Sequence, residues 1–206
     1  MSQFLQIHPD NPEPRLIKQA VQVLLDGGII VYPTDSMYAL GCHIGDKAAL
    51  AKIRRLRQLD DRHNFTLVCE DLSSLASYAM VSNSAYRILK AYTPGPYTFI
   101  LKATPEVPRR LMHPKRKTVG LRVPDNSVSQ SLLRALGEPI MSTSLILPGE
   151  EEQMIDPYEM RLRLGKQVDL IIDSGACGLE PTTMIDLVDG VPRVMRTGKG
   201  DPEPFL

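Results

Sequence analysis

The chain has 206 residues, 43% of them apolar, and carries 24 Lys+Arg against 24 Asp+Glu. That length can bury one core without a second domain, and the apolar content argues against general disorder. No apolar run approaches the roughly 18 residues a bilayer span needs, and the opening MSQFLQIHPDNPEP has neither a basic n-region nor an apolar h-region, so no membrane span or signal peptide is expected.

Leu16, Ile17, Ala20, Val21, Leu24 and Leu25 recur at helical spacing, and Gly27-Gly28 closes that helix. IIVY, residues 29–32, reads as a buried strand. It runs into Pro33 and then the polar triplet Thr34-Asp35-Ser36, which is either an ordinary turn or a set of hydroxyls and a carboxylate at the mouth of a site. Asp46 is placed to cap a second helix bearing Leu50, Ile53 and Leu56, with arginines on its other faces. FTLVC reads as a strand, and SNSAYRILKAY as a helix stopped by Thr93-Pro94-Gly95-Pro96. YTFILKA and VGLRV are strands. A helix capped by Asn126 and closed by Gly137 follows. PIMSTS, VDLIID, TTMIDLV and PRVMRT complete the strands, with a helix near residues 157–164. Strands mixed with helices, without a repeat or linker, predict one α/β domain around an open mixed sheet.

The zero net charge hides a split. Residues 1–122 hold 17 Lys+Arg and 10 Asp+Glu, and residues 123–206 hold 7 and 14. Two runs concentrate the cations: Lys52, Arg54, Arg55, Arg57 and Arg62, then Arg109, Arg110, Lys115, Arg116, Lys117 and Arg122. Such runs are either solvated surface or the footprint of a polyanionic partner, and the second reading predicts that they converge on one face.

Hydroxyl residues gather at strand ends: Thr34 and Ser36, Thr118, Ser142 to Ser144, and Thr182-Thr183. Threonine is a good strand residue in its own right. Hydroxyls beside arginines, however, suit carboxylates and phosphates, and ligands of open α/β sheets sit at strand ends. Thr34, Arg122, Ser142 and Thr182 are therefore expected to line one pocket. Neither a GxxxxGK[ST] nor a GxGxxG pattern occurs. The four histidines, His8, His43, His63 and His113, lack metal-ligand spacing and read as surface or packing residues, so no metal site is expected. Cys42 and Cys69 lie in or beside apolar runs and read as buried thiols rather than nucleophiles. Three scattered cysteines without a CxxC pair fit a reducing cytoplasm.

YPTDSMYALGC, PGPYTFIL, KTVGLRVPD, PIMSTS, TTMIDL and PRVMRTG, in that order, resemble the YrdC-like (YrdC/YciO) family on its YciO branch, over residues of about 14–200. The resemblance implies a single domain, a twisted open sheet and a concave, positively charged face. It also implies a small-molecule ligase that joins ATP, L-threonine and bicarbonate into threonylcarbamoyl-adenylate for tRNA modification. The same fold implies binding of double-stranded RNA. Carried onto this chain, it gives Thr34, Cys69, Arg122, Ser142 and Thr182 to the amino acid, and Arg55, Arg57, Thr118, Ser144 and Arg196 to the nucleotide. No covalent nucleophile and no permanently bound cofactor are implied, and magnesium would arrive with ATP. The chain departs from enzymatic relatives at Arg55-Leu56-Arg57, where they carry Lys-x-Arg, and at Ile146, where they carry Asn. The nucleotide half of the site is thus expected to be altered. Two main readings follow, beside a blander one in which the chain is an interaction partner that has lost both ligands. In one, the basic residues Arg54, Arg55, Arg57, Arg109, Arg110, Lys115, Arg116 and Lys117 form a face for RNA (tRNA or double-stranded RNA) or a nucleotide. In the other, the protein is a threonylcarbamoyl-adenylate synthase-like enzyme with reduced or altered activity.

Overall fold

A computed structural model describes residues 2–60, 63, 65–149 and 154–206. Arg62 of the first basic run lies outside them. In chain order the elements are β1 (Gln3–Gln6), α1 (Pro14–Leu25), β2 (Ile30–Tyr32), β3 (Ala39–His43), α2 (Lys47–Arg57), β4 (Thr66–Val68), α3 (Leu72–Tyr78), β5 (Ala79–Met80), α4 (Asn83–Tyr92), β6 (Tyr97–Ala103), β7 (Thr118–Arg122), α5 (Ser127–Leu136), β8 (Ile140–Ser144), α6 (Pro157–Leu164), β9 (Leu170–Asp173), β10 (Thr183–Asp186) and β11 (Arg193–Arg196).

Local chemistry sets the helix ends. Pro14 opens α1, where its missing N–H costs nothing. The Asp46 carboxylate accepts from Ala49 N at 2.8 Å, and Asn126 Oδ1 accepts from Ser129 N at 3.0 Å, each satisfying a first-turn donor. Gly137, at φ +73°, closes α5 in the left-handed region that glycine enters without penalty.

The strands form one mixed sheet in the order β1-β9-β2-β3-β8-β4-β7-β6-β10-β11, with β5 paired to β6. β9 pairs in parallel with β1 and β2, β4 with β7, and β10 with β6. The remaining pairings are antiparallel. The sequence reading omitted β1, β3, α3 and β5.

Strand alternation sorts the two faces. One face carries Leu40, Leu67, Phe99, Leu101, Leu121 and Ile185 into a core shared with apolar residues of α2, α3, α4 and α6. On the other face, α1 and α5 pack over Ile30, Tyr32, Ile140, Leu170 and Ile172. Beyond those two helices the second face turns polar. Among the described residues no helix is long and apolar enough to cross a membrane.

Candidate functional site

The polar part of the second face holds a cavity of about 150 Å³. Its floor comes from strand positions of one parity: Thr66 and Val68 on β4, Arg122 on β7, Ser142 on β8 and Thr98 on β6. Register explains the convergence. Thr66 pairs with both Gly120 and Ser142, and Val68 with Arg122, so central strands bring these side chains to one spot. Gly120 leaves the floor open between Thr66 and Thr98. A Cβ there would lie 3.4 Å from both side chains. One wall is formed by Arg57, His63, Thr143 and Ser144, the opposite one by Thr182, Met184 and Arg196, and Met37, Ala39 and Ile146 add an apolar rim.

Hydrogen bonds hold the polar groups in place. Tyr32 Oη donates to Ser142 Oγ at 2.8 Å, and Ser142 Oγ donates to Leu40 O at 3.2 Å. Thr98 Oγ1 and Thr182 Oγ1 are 2.7 Å apart. Arg196 donates to Thr182 O through Nε at 3.2 Å and Nη2 at 3.0 Å, and to Thr182 Oγ1 at 3.3 Å. Arg57 Nη1 donates to Thr143 Oγ1 at 3.3 Å and to Ser144 O.

The polar triplet of the opening stretch organises Arg122. Thr34 Oγ1 accepts from Ser36 N and Met37 N, both at 3.2 Å, which folds residues 34–37 into a tight turn. Arg122 Nη2 then donates to Thr34 Oγ1 at 3.4 Å and to Asp35 Oδ1. The Arg122 and Asp35 side chains are each 9% exposed. The pair is incomplete, because Asp35 Oδ2 and Arg122 Nε are buried without a hydrogen-bond partner among the described residues. Lys199 Nζ donates to Asp35 O and ties the C-terminal segment to this turn.

Burial also sets the protonation states. It lowers the pKa of Arg57 and of Arg196, yet a guanidinium stays charged at neutral pH. Burial, with Arg57 and Arg54 nearby, holds His63 below the ordinary imidazole range. Burial pushes the Cys42 and Cys69 thiols up to about 12 and Cys177 to about 11, so none is a thiolate at neutral pH.

Arg57, Arg122, Ser142, Ser144, Thr182 and Arg196 all line the cavity. Thr34 lies behind Arg122, one hydrogen bond away. Three predicted residues sit elsewhere. Thr118 shares the sheet face but pairs with Lys102, at the far end of β7 from Arg122. Cys69 is fully buried in the helix-covered core, because alternation that turns Thr66 and Val68 toward the cavity turns Leu67 and Cys69 away. Arg55 is exposed on α2 and does not line the cavity.

The basic residues divide rather than act as one set. Arg110 Nη2 donates to Ile44 O at 3.2 Å and Gly45 O at 2.6 Å. Arg116 pairs with Asp186 at 2.6 Å. The guanidinium of Arg54 lies 5.4 Å from the centre of the Phe65 ring. Arg55, Arg109, Lys115 and Lys117 are exposed. Sequence reasoning missed Thr66, Thr98 and His63. The two threonines carry a signal, since they alternate with core residues on their strands, whereas nothing local marks His63.

No group of three or more His, Cys, Asp and Glu side chains among the described residues is arranged to hold a metal ion. Asp35 and Asp186 are already paired with Arg122 and Arg116. The residues present therefore do not fit a protein-held metal.

A family model described as telomere recombination (Sua5, YciO, YrdC) matches residues 22–198. The chain is 62% identical to YciO of Escherichia coli K12 over 206 residues, covering 100% of both chains. It superposes on the E. coli YciO crystal structure with a TM-score of 0.96 over 100% of both. A protein of Haemophilus influenzae is 60% identical over 207 residues, again covering 100% of both chains. The fold also matches Sua5 of P. abyssi complexed with L-threonine, at a TM-score of 0.89 and 22% identity, over 98% of this chain and 59% of that one.

Proposed function

The chain belongs to the Sua5/YciO/YrdC family, and from that premise we propose that its open sheet face binds an α-amino acid and a nucleotide side by side, as a threonylcarbamoyl-adenylate synthase-like enzyme would. The observation that carries this reading is the convergence of three arginines and a row of hydroxyls on one cavity. Arg122 supplies a planar fork for a carboxylate, and Ser142 and Thr182 supply hydroxyls around it. Arg57, Ser144 and Arg196 would face phosphate oxygens. About 150 Å³ is below the roughly 300–1,000 Å³ of pockets that enclose drug-sized ligands, so the enclosed part suits an amino acid while the nucleotide lies along the open face. The likeness to a threonine-bound Sua5 supports L-threonine as the first amino acid to test.

The chemistry asks little of the side chains. The amine nitrogen of the amino acid attacks the bicarbonate carbon and a C–O bond breaks to release water; an oxygen of the resulting carbamate attacks the α-phosphate, the α–β phosphoanhydride bond breaks, and pyrophosphate leaves with the bond's electron pair. The protein positions the two reactants and stabilises the developing charge. Buried, protonated thiols suit a reaction that needs no protein nucleophile. Magnesium enters as part of the nucleotide substrate, held by phosphate oxygens and water.

An RNA partner would draw on fewer cations than the sequence supplies. Arg110 is held by backbone carbonyls and Arg116, though exposed, is shared with Asp186, so phosphates would meet chiefly the exposed Arg55, Arg109, Lys115 and Lys117. Calorimetric titration tests the main reading. L-threonine and ATP should each bind, and Arg122→Met should abolish threonine binding. An unchanged threonine affinity in that variant would contradict the assignment.

A further inference from the structure

His63 has no part in the reading above. It follows α2, is half-buried, and lines the cavity beside Arg57, Thr143 and Ser144. Its ring meets Phe65 edge-on with centroids 5.2 Å apart. Its Nε2 lies 3.3 Å from Thr143 Oγ1. The same oxygen accepts from Arg57 Nη1 at 3.3 Å. Thr143 can then donate its own hydroxyl hydrogen bond to Nε2 of a neutral ring that keeps its proton on Nδ1.

Among the described residues, the charged groups acting on the ring are Arg54 and Arg57 from α2 and Asp60 beyond the end of that helix, and Arg122 and Arg196 line the same cavity. Burial first, then Arg57 and Arg54, disfavour the imidazolium, and Asp60 opposes them. Without a ligand the ring is therefore neutral at pH 7. A polyphosphate seated among these arginines reverses the balance. It cancels the cationic field and offers oxygens that accept from a protonated ring.

We propose that His63 is a phosphate contact that takes up a proton together with its ligand, so that nucleotide capture on this face is proton-coupled. The inference rests on the cavity being a nucleotide site. The sign follows from linkage. Ligand binding raises the His63 pKa, so the affinity gain is fully present below the free-state pKa and is lost as pH rises through the bound-state pKa. Each unit of difference between bound and free pKa is worth about tenfold in affinity. The ligand's own titration works in the opposite direction. Its terminal phosphate ionises near about pH 6, and neighbouring arginines promote further proton release.

Calorimetric titration of the full chain with ATP at pH 7, in two buffers of different ionisation enthalpy, separates these possibilities. Net proton uptake of up to one per site is expected for the wild type. His63→Gln should bind ATP without that uptake, with affinity about tenfold lower at pH 6 and near wild type at pH 8. His63→Asn serves if the glutamine variant does not fold, and the wild-type measurement needs no variant. Proton release or no proton change in the wild type would overturn the inference while leaving the nucleotide site intact, as would uptake that persists in the variants. Failure of the wild type to bind ATP or pyrophosphate would overturn both the inference and the reading beneath it.

Discussion

On β7, Val119 and Leu121 point into the helix-covered core, while Thr118, Gly120 and Arg122 point to the other side of the sheet. β6 repeats the contrast, with Phe99 and Leu101 on one face and Thr98 and Lys102 on the other. The first face is closed by α2, α3, α4 and α6. Among the described helices, α1 and α5 cover part of the second. The difference shows what each set of residues is for. Apolar side chains are needed wherever a helix covers the sheet, so they say little about function. The hydroxyls of the uncovered part fill positions where valine would fit the strand equally well, so their polarity points to a ligand.

Breaking each face should therefore give a different phenotype. Phe99 is fully buried, and Phe99→Ala should cost about 3–5 kcal/mol in urea unfolding while leaving ligand affinity unchanged in the folded fraction. A loss of affinity matching the loss of stability would blur the distinction. Arg122→Met should cost a comparable 3–5 kcal/mol or so, for another reason: it strands the buried Asp35 carboxylate. Adding Asp35→Asn should restore most of that stability but none of the threonine binding. If the double variant binds threonine, Arg122 is structural and the cavity reading fails at its centre.

Ile146 sharpens the comparison inside the site. It is half-buried on the cavity rim, so an amide there would meet ligand and solvent rather than a sealed core. Arg55, outside the cavity, has no such place, so Ile146→Asn alone should raise ATP-dependent turnover about ten- to a hundredfold, the worth of one charge-assisted hydrogen bond of roughly 1.5–3 kcal/mol made in the transition state. Turnover and melting temperature measured on the same variant check this. A stable variant with unchanged turnover would remove Ile146 from the account.

Smaller effects complete the series. Thr98→Val removes the 2.7 Å bond to Thr182 and should cost about 1 kcal/mol in stability while weakening ligand binding. Lys115→Ala, on the exposed surface, should change stability by less than about 0.5 kcal/mol. If RNA binds there, the same change should flatten the log–log salt dependence by about 0.7–0.9. A slope that does not move would take Lys115 out of any RNA contact.

The elements with strong local signals were legible in the sequence. YTFILKA is β6 residue for residue, and α5 starts and stops at its Asn126 and Gly137 caps. The missed elements depend on distant partners or carry weak patterns. β1 is an exposed-to-half-buried edge strand whose partner β9 comes more than 160 residues later. α3, LSSLASY, is short and serine-rich and fully buries only Leu75. β3 is buried along nearly its whole length, so it lacks the alternation that marks a half-exposed strand. In the site, arginines and strand-end hydroxyls were readable because residue type and position together implied an anion. The resemblance set Cys69 beside the amino acid, whereas its reading as a buried thiol agrees with the core position that period-two alternation from Thr66 and Val68 gives it. His63 was unreadable because its contact with Thr143 spans 80 positions.

The central claim, that the open face joins an amino acid to a nucleotide, is tested most directly by pyrophosphate release. Purified protein would be mixed with ATP, magnesium, L-threonine and bicarbonate, omitting each in turn. The account predicts release that requires all four components and disappears in the stable Asp35→Asn, Arg122→Met double variant. Release that persists without threonine or bicarbonate, or that survives in the double variant, would contradict it, as would no release from the wild type.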